Sequence, residues 1–329
     1  MTSTESAGAP EPLDTLAVIG EGAVLARIFP RLPAAASAIL GPGDDAAVIA
    51  APDGRFVVTT DMMIHGPDFR LAWSTPFDLG WKAAASNLSD VAAMGAVPTA
   101  LVVALAAPGD SPVALLEGIA DGVREACALL APGCGVVGGD LSVSDTLTIA
   151  VTALGDLEGR EPVTRSGARP GDIVAVAGVL GAAAAGLRML FEEAVVDGEP
   201  SASLAGPMRG WVEVEAQLAP RPPIAMGVVA AAAGATAMID LSDGLALDAR
   251  RVAQASGVAI DLSSAEVGNR EALDGGEDHS LLATFPAEVP DGFRAIGVVT
   301  PGAGLLVDGR PYDQRGGWDP YADWDGAAG

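Results

Sequence analysis

Aspartates recur in five short stretches of the sequence, each time beside apolar or small residues. The stretches are GPGDDAAVIA (41–50), VVTTDMM (57–63), NLSDVAAMGA (87–96), VVGGDLS (136–142) and MIDLSDGLALD (238–248). Burying an unpaired carboxylate costs several kcal/mol. Aspartates that converge in a fold repel one another unless a cation lies between them. Together the five stretches therefore predict a shared cation site.

The donor set indicates which cation this is. Carboxylate oxygens suit Mg²⁺, whereas zinc and copper sites draw on histidine and cysteine, and the chain has only two of each. Mg²⁺ held by carboxylates usually accompanies substrate phosphates. Arg165 and Arg169 offer fork-shaped donors for such phosphates, although no Walker A sequence is present. Helix capping is the alternative role for a single aspartate, and it fits Asp44 and Asp243.

Composition and charge exclude several classes of protein. The formal net charge is −25, with 18 lysines and arginines, so nucleic acid and anionic membranes are not expected partners. The sequence has no apolar run of about 18 residues, the length that a membrane span needs. Two cysteines form no disulfide framework, which favours a cytoplasmic protein. Residues 1–14 are polar and acidic and are expected to be a disordered leader.

Helical and strand patterns alternate along the chain, which predicts an α/β (α+β) fold. Helices are predicted at 16–32, 76–96 and 111–132, the last with Ser111 as its N-cap, and strands at 55–64, 99–108 and 147–157. The segment rich in proline and glycine at 160–172 predicts a boundary between domains of residues 15–160 and 161–329. Within the second domain, residues 195–207 are expected to form a flexible excursion.

Taken in order, these motifs resemble those of thiamine-monophosphate kinases, members of the aminoimidazole ribonucleotide synthetase-like ATP-binding superfamily. The resemblance covers about residues 17–320, and SNLSDVAAMGA, IDLSDGL and GGED are its most specific parts. It implies Mg²⁺-assisted, direct in-line transfer from ATP to thiamine monophosphate, giving thiamine diphosphate. It also implies an N-terminal domain that forms a β-barrel with its twin in a homodimer, and a C-terminal α/β domain that closes the active-site cleft.

The resemblance also implies site residues, each at a position that matches a family motif. Several Mg²⁺ ions would be held by Asp45, Thr59, Thr60, Asp61, Asp90, Asp140, Asp240 and Asp243. ATP would be bound by Gly139, Asp140, Arg165 and Ser242. Thiamine monophosphate would be bound by Glu277 and Trp318.

Two stretches depart from the family pattern. The family usually has a His–Phe pair after the TTD strand, where the histidine meets the substrate. In this chain Asp68 precedes Phe69, and His65 lies three residues before Asp68. Either His65 takes over the acceptor contact or that contact is altered. His279 and Ser280 replace the usual tyrosine and glutamate.

These departures keep two other functions open. One is another enzyme of the superfamily with the same ATP site and a different acceptor. The other is a catalytically weak protein that binds nucleotides or thiamine phosphates.

Overall fold

A mixed α/β fold with two main sheets is seen in the computed structural model, which describes residues 15–41 and 47–317. The predicted leader, the predicted ligands Asp45 and Trp318, and Asp44 lie outside the described residues. In the described part, no helix is long and apolar enough to cross a membrane.

The chain begins with small elements, which are α1 (Leu16–Ile19), α2 (Glu21–Ile28), β1 (Ala38–Leu40) and β2 (Val48–Ile49). The predicted helix at 16–32 is therefore wrong in its continuity. Gly20, with φ of 76°, separates α1 from α2, and α2 gives way to a 3₁₀ turn at Phe29–Arg31. A left-handed glycine cannot continue an α-helix, so the apolar pattern alone overestimated its length.

A four-stranded sheet and two long helices form the first half of the chain. The strands run in the order β3–β6–β4–β5, and their bounds are β3 Val57–Ile64, β4 Val97–Ala107, β5 Gly135–Val143 and β6 Thr148–Asp156. The helices are α3 (Pro76–Ala93) and α4 (Val113–Leu130). They cross at glycine contacts, since a Cβ on Gly80 would lie 1.9 Å from the carbonyl oxygen of Ile119.

A seven-stranded sheet organises the second half, in the order β10–β12–β7–β13–β11–β14–β15. Its strands are β7 Ile173–Ala177, β10 Ala237–Leu241, β11 Ala259–Leu262, β12 Ser280–Phe285, β13 Arg294–Thr300, β14 Gly304–Val307 and β15 Arg310–Pro311. The other elements are β8 Val195–Val196, β9 Glu199–Pro200, α5 Ala182–Glu193, α6 Ala202–Ala205, α7 Val212–Leu218, α8 Ala225–Ala232, α9 Leu245–Ser256, α10 Ser264–Val267 and α11 Arg270–Asp274.

Two further expectations are corrected. The N-cap of α4 is Pro112 and not Ser111, whose carbonyl oxygen instead accepts the backbone N–H of Leu16. The expected excursion at 195–207 is ordered, because it forms β8, β9 and α6 and buries Ala205. The four-stranded sheet is open, so the described residues of one chain form no closed barrel.

Helix α3 lies at the centre of the molecule. The main hydrophobic core includes Leu88 of α3 together with Met238 and Phe285 of the second half, and 15 of the 18 residues of α3 are buried. A helix that is buried all round has no solvent-facing stripe for its polar residues. Lys82 and Asn87, both buried, must therefore find partners inside the protein.

Candidate active site

Three of the predicted metal ligands approach one another between β3, α3 and the end of β10. They are Asp61, Asp90 and Asp240. Helix α3 connects them by hydrogen bonds: Asn87 Oδ1 accepts the backbone N–H of Asp61 at 3.0 Å, and Ser89 Oγ donates to Asp240 Oδ2 at 3.2 Å. We call these three aspartates the carboxylate cluster.

Burial and mutual repulsion raise the pKa values of carboxyl groups in the carboxylate cluster. Burial, followed by the charges of Asp240 and Asp61, raises the pKa of Asp90 to about 7, against an opposing hydrogen bond from Thr59. The Thr59 hydroxyl donates to Asp90 Oδ2 at 2.8 Å. The pKa of Asp61 is also raised, first by burial and then by Asp240. A cation placed here would relieve both the burial cost and the repulsion.

The fit of Mg²⁺ rests on donor type and charge. Among the described residues, no group of three or more acidic, histidine or cysteine side chains is close enough to hold a metal ion on its own. The donors present are hard oxygens whose mutual repulsion calls for a cation. Mg²⁺ commonly uses one or two carboxylates and takes water and substrate phosphates as its other ligands. The carboxylate cluster fits that mode of binding and not an all-protein cage.

A cleft of about 810 Å³ opens beside the carboxylate cluster. Its lining includes Thr59, Asp90 and Asp240, together with Arg165 and Arg55. The Arg165 side chain is exposed, and guanidinium groups bind phosphate oxygens in pairs. Arg55 was missed by the sequence analysis because it lies two residues before β3, outside any aspartate stretch. We call this space the nucleotide cleft, after the ligand that the sequence analysis expects for Arg165.

Gly139 and Asp140 lie at the opposite edge of the four-stranded sheet. Asp61, Val151, Val103 and Gly139 are paired across β3, β6, β4 and β5. Three strand spacings put Gly139 roughly 14 Å from Asp61 along the sheet, so one chain does not bring Asp140 into the cluster. Gly139 also has a packing role, since a Cβ there would lie 2.0 Å from the Val103 carbonyl oxygen.

The end of β10 is held by Asp248, to which the sequence analysis gave no role. This fully buried carboxylate accepts the backbone N–H groups of Asp243 and Gly244 at 3.3 and 3.2 Å. Arg251 pairs with both Asp248 and Asp243 at 2.6 Å. The capping alternative for Asp243 is therefore wrong, because its side chain makes no cap hydrogen bond to α9. Burial and then Asp240 raise the pKa of Asp248 to about 7.

A second cavity, of about 320 Å³, has both charged and aromatic walls. Its lining includes Asp68, Phe69, Arg70, Trp73, Lys82, Phe191 and Glu277. Lys82 Nζ lies 2.5 Å from Glu277 Oε2. Burial would raise the pKa of Glu277, but Lys82 and His279 outweigh it and hold that pKa below its ordinary value. Glu277 is thus an anion in the wall of this cavity, which we call the acceptor cavity after the ligand that the family resemblance implies for Glu277.

Of the two candidates for the altered family contact, Asp68 lines the acceptor cavity. Its Oδ2 accepts the backbone N–H of Ile64 at 2.7 Å, which closes a turn. Burial raises the pKa of Asp68, and this hydrogen bond opposes the rise. His65 instead packs against Phe69, with ring centroids 5.6 Å apart.

His279 lies between the acceptor cavity and the carboxylate cluster. The ring is buried, with Nδ1 3.4 Å from Ser89 Oγ and 3.6 Å from Asp240 Oδ2, and Nε2 4.0 Å from Glu277 Oε2. Burial would lower the pKa of His279, but Asp240 and Glu277 raise it above its ordinary value. The residue that departs from the family pattern therefore lies between the two regions, with Nδ1 on the side of the carboxylate cluster and Nε2 on the side of Glu277.

Comparisons with known proteins show the family to which the chain belongs. The family model described as AIR synthase related protein, N-terminal domain, matches residues 43–157. The thiamine-monophosphate kinase of Mycobacterium tuberculosis is 44% identical over 330 residues, an alignment that covers 94% of each chain. The chain belongs to the thiamine-monophosphate kinase family.

Solved structures of this family share the fold. The structure of AaThiL complexed with AMPPCP and TMP is 34% identical, with a TM-score of 0.71, and the match covers 84% of this chain and 90% of that one. The thiamine-monophosphate kinase of Stenotrophomonas maltophilia K279a is 30% identical, with a TM-score of 0.72, and the match covers 90% of this chain and 97% of that one. The predicted α/β fold of the superfamily is thereby confirmed.

Proposed function

We propose that this chain catalyses the ATP-dependent phosphorylation of thiamine monophosphate to thiamine diphosphate. The observation that carries the proposal is the position of the carboxylate cluster, which lines the nucleotide cleft through Asp90 and Asp240 and reaches the acceptor cavity through His279. The family relationship and the AaThiL complex with AMPPCP and TMP support the same reaction.

In this proposal each ligand has its own space. ATP occupies the nucleotide cleft, where Arg165 and Ser242 contact its phosphates. Thiamine monophosphate occupies the acceptor cavity, whose aromatic rings and anionic Glu277 suit a thiazolium cation. Trp318, outside the described residues, is proposed as a further contact of the acceptor.

The reaction requires neutralised phosphate charge and alignment of the two phosphates more than it requires a general base. The acceptor is a phosphate monoester with a second pKa near 6, so it is mostly a dianion at pH 7 and is already nucleophilic. Two unit charges 4 Å apart repel by about 4 kcal/mol at an effective dielectric constant of 20. Mg²⁺ ions, when held by the carboxylate cluster, would offset this repulsion. The chain's own residues would bind and align the two phosphates for direct in-line transfer.

We also propose that the working unit is a homodimer. Val58 and Met62 project from β3 on the face opposite Asp61 and are each 58% exposed, which is typical of a surface that a partner covers. Gly139 and Asp140 lie at the far sheet edge, too distant to serve the cluster of their own chain. A second copy whose β5 approaches β3 would bring its Asp140 close to the first copy's Asp61 and would close the two sheets into a barrel.

We also propose the two-domain organisation and a cytoplasmic location for the protein. The four-stranded sheet ends at Asp156 and the seven-stranded sheet begins at Ile173, which supports a boundary near residue 160. The C-terminal domain would then close the cleft through the end of β10. The buried free thiols Cys127 and Cys134 are consistent with the reducing cytoplasm.

Formation of thiamine diphosphate from thiamine monophosphate and ATP, with and without Mg²⁺, tests the function. We expect turnover only with Mg²⁺ and its loss in Asp61→Asn, while the matched variant Asp291→Asn, at an exposed position, stays active. Nucleotide binding without turnover of thiamine monophosphate would favour the rival functions. Screening other phosphate monoesters as acceptors would then separate a different kinase from a binding protein.

A further inference from the structure

The loop of residues 275–279 places three polar side chains in three different surroundings. Glu277 and His279 both have left-handed backbone, with φ of 71° and 50°. Such a conformation is costly for residues other than glycine and persists only where neighbouring structure holds it. Their side chains reach the acceptor cavity and the carboxylate cluster, whereas Asp278, between them, points to α5.

Asp278 closes the start of α5 from 97 residues away. Its side chain is buried, and its two oxygens accept the backbone N–H groups of Gly181 at 2.5 Å and Ala183 at 3.0 Å. The first N–H groups of a helix have no partner inside the helix, and the N-cap of α5, Gly181, has no side chain to offer. Asp278 therefore supplies what a capping residue would normally supply.

The same loop is fastened to the end of β10 by its backbone. The N–H of Glu277 donates to the Ser242 carbonyl oxygen at 2.7 Å, and the N–H of His279 donates to that of Leu241 at 2.9 Å. These bonds lie next to Asp240 of the carboxylate cluster, one residue before the end of β10. Through them the loop joins β10 to α5.

Helix α5 forms one wall of the acceptor cavity. It contributes Ala184, Leu187, Leu190 and Phe191 to the lining. The position of this wall relative to Asp240 therefore depends on the loop and on the Asp278 bonds to α5.

We propose that Asp278 is a positioning residue for phosphoryl transfer, which holds the acceptor wall on α5 at a fixed place relative to the carboxylate cluster. This inference rests on the proposed function. Asp278 touches neither substrate in this arrangement and acts through α5 and through its neighbours Glu277 and His279. Misplacing a bound reactant by about 1 Å can cost a hundredfold in rate, so even a small shift of α5 has a kinetic effect.

The test compares Asp278→Ala with Asp172→Ala, a matched control. Asp172 is also a buried aspartate with two hydrogen bonds, from the Arg169 N–H and the Thr236 hydroxyl, but it lies before β7, at the opposite end of that strand from Gly181. We expect Asp278→Ala to lower kcat/KM for thiamine monophosphate tenfold or more and to leave the Kd of Mg²⁺–AMPPCP within twofold. Asp172→Ala should lower Tm to a similar extent and leave both parameters within twofold.

The possible outcomes separate this inference from the proposed function. Equal loss of kcat/KM in both variants, or unchanged kinetics in Asp278→Ala, would overturn the inference. If Asp278→Ala does not fold, Asp278→Asn replaces it, because asparagine keeps one acceptor oxygen. This variant should show a smaller loss of kcat/KM for thiamine monophosphate and an unchanged Kd of Mg²⁺–AMPPCP. Weaker binding of Mg²⁺–AMPPCP instead would contradict the role. Wild-type protein that neither binds nor converts thiamine monophosphate would refute the proposed function, whereas a kinetically normal Asp278→Ala would refute only this inference.

Discussion

Replacing Asp90 by asparagine should stabilise the metal-free protein at pH 8. Asp90 has a pKa of about 7 in the folded chain and an ordinary value of 3.8. Because the folded pKa is raised, its stability contribution is fully present below pH 3.8 and is lost as pH rises through 7. About three pH units at 1.36 kcal/mol each give a loss of about 4 kcal/mol by pH 8. Asparagine does not ionise, and its oxygen can still accept the hydroxyl of Thr59.

Thermal unfolding in EDTA between pH 4 and 8 measures this effect. The stability advantage of Asp90→Asn over wild type should grow from under about 1 kcal/mol at pH 4 to about 4 kcal/mol at pH 8. Asp291→Asn should show no such trend, and saturating Mg²⁺–AMPPCP should stabilise wild type more than Asp90→Asn. A metal-free Asp90→Asn that is no more stable than wild type at pH 8, or an advantage that does not vary with pH, would refute the electrostatic reasoning.

Three other predictions concern stability and substrate contacts. Arg209→Met should cost about 3–5 kcal/mol in denaturant unfolding, because it leaves the buried carboxylate of Asp78 without its charged partner at 2.7 Å, whereas Arg188→Met, which removes only surface ion pairs with Glu192 and Glu271, should lower stability far less; equal costs would contradict this. Mg²⁺–AMPPCP at a hundredfold excess over Kd should add about 2.7 kcal/mol to the unfolding free energy, and an unchanged Tm would count against the site. His65→Ala should leave KM for thiamine monophosphate nearly unchanged, while Asp68→His should change it, since only Asp68 was found in the acceptor-cavity lining; the reverse pattern would show that His65 makes the contact.

Local sequence patterns predicted those elements, and the site residues on them, that neighbouring residues in the sequence determine. The β-branched run before Asp61 and the alanine-rich helix around Asp90 fold as β3 and α3, so their aspartates were found from the motifs alone. The pairing of Lys82 with Glu277 joins positions 195 residues apart, and no spacing rule anticipates it. The sequence analysis gave Lys82 no role, and its pairing became visible once burial required a partner.

Helix α3 sets the distance between the acceptor side and the carboxylate cluster. Lys82 contacts Glu277 at one end of this stretch. At the other end, Asn87 and Ser89 make hydrogen bonds to Asp61 and Asp240 of the cluster, and Asp90 is itself a member of it. Eight residues of α-helix span about 12 Å, and each residue turns the helix by about 100°. Because the helix is buried on all sides, it cannot slide or rotate without breaking its packing. Inserting one residue between Lys82 and Asn87 would therefore turn the lysine away from Glu277. The spacing between Lys82 and the residues of SNLSDVAAMGA is thus a geometric requirement of a reaction that brings two phosphates together.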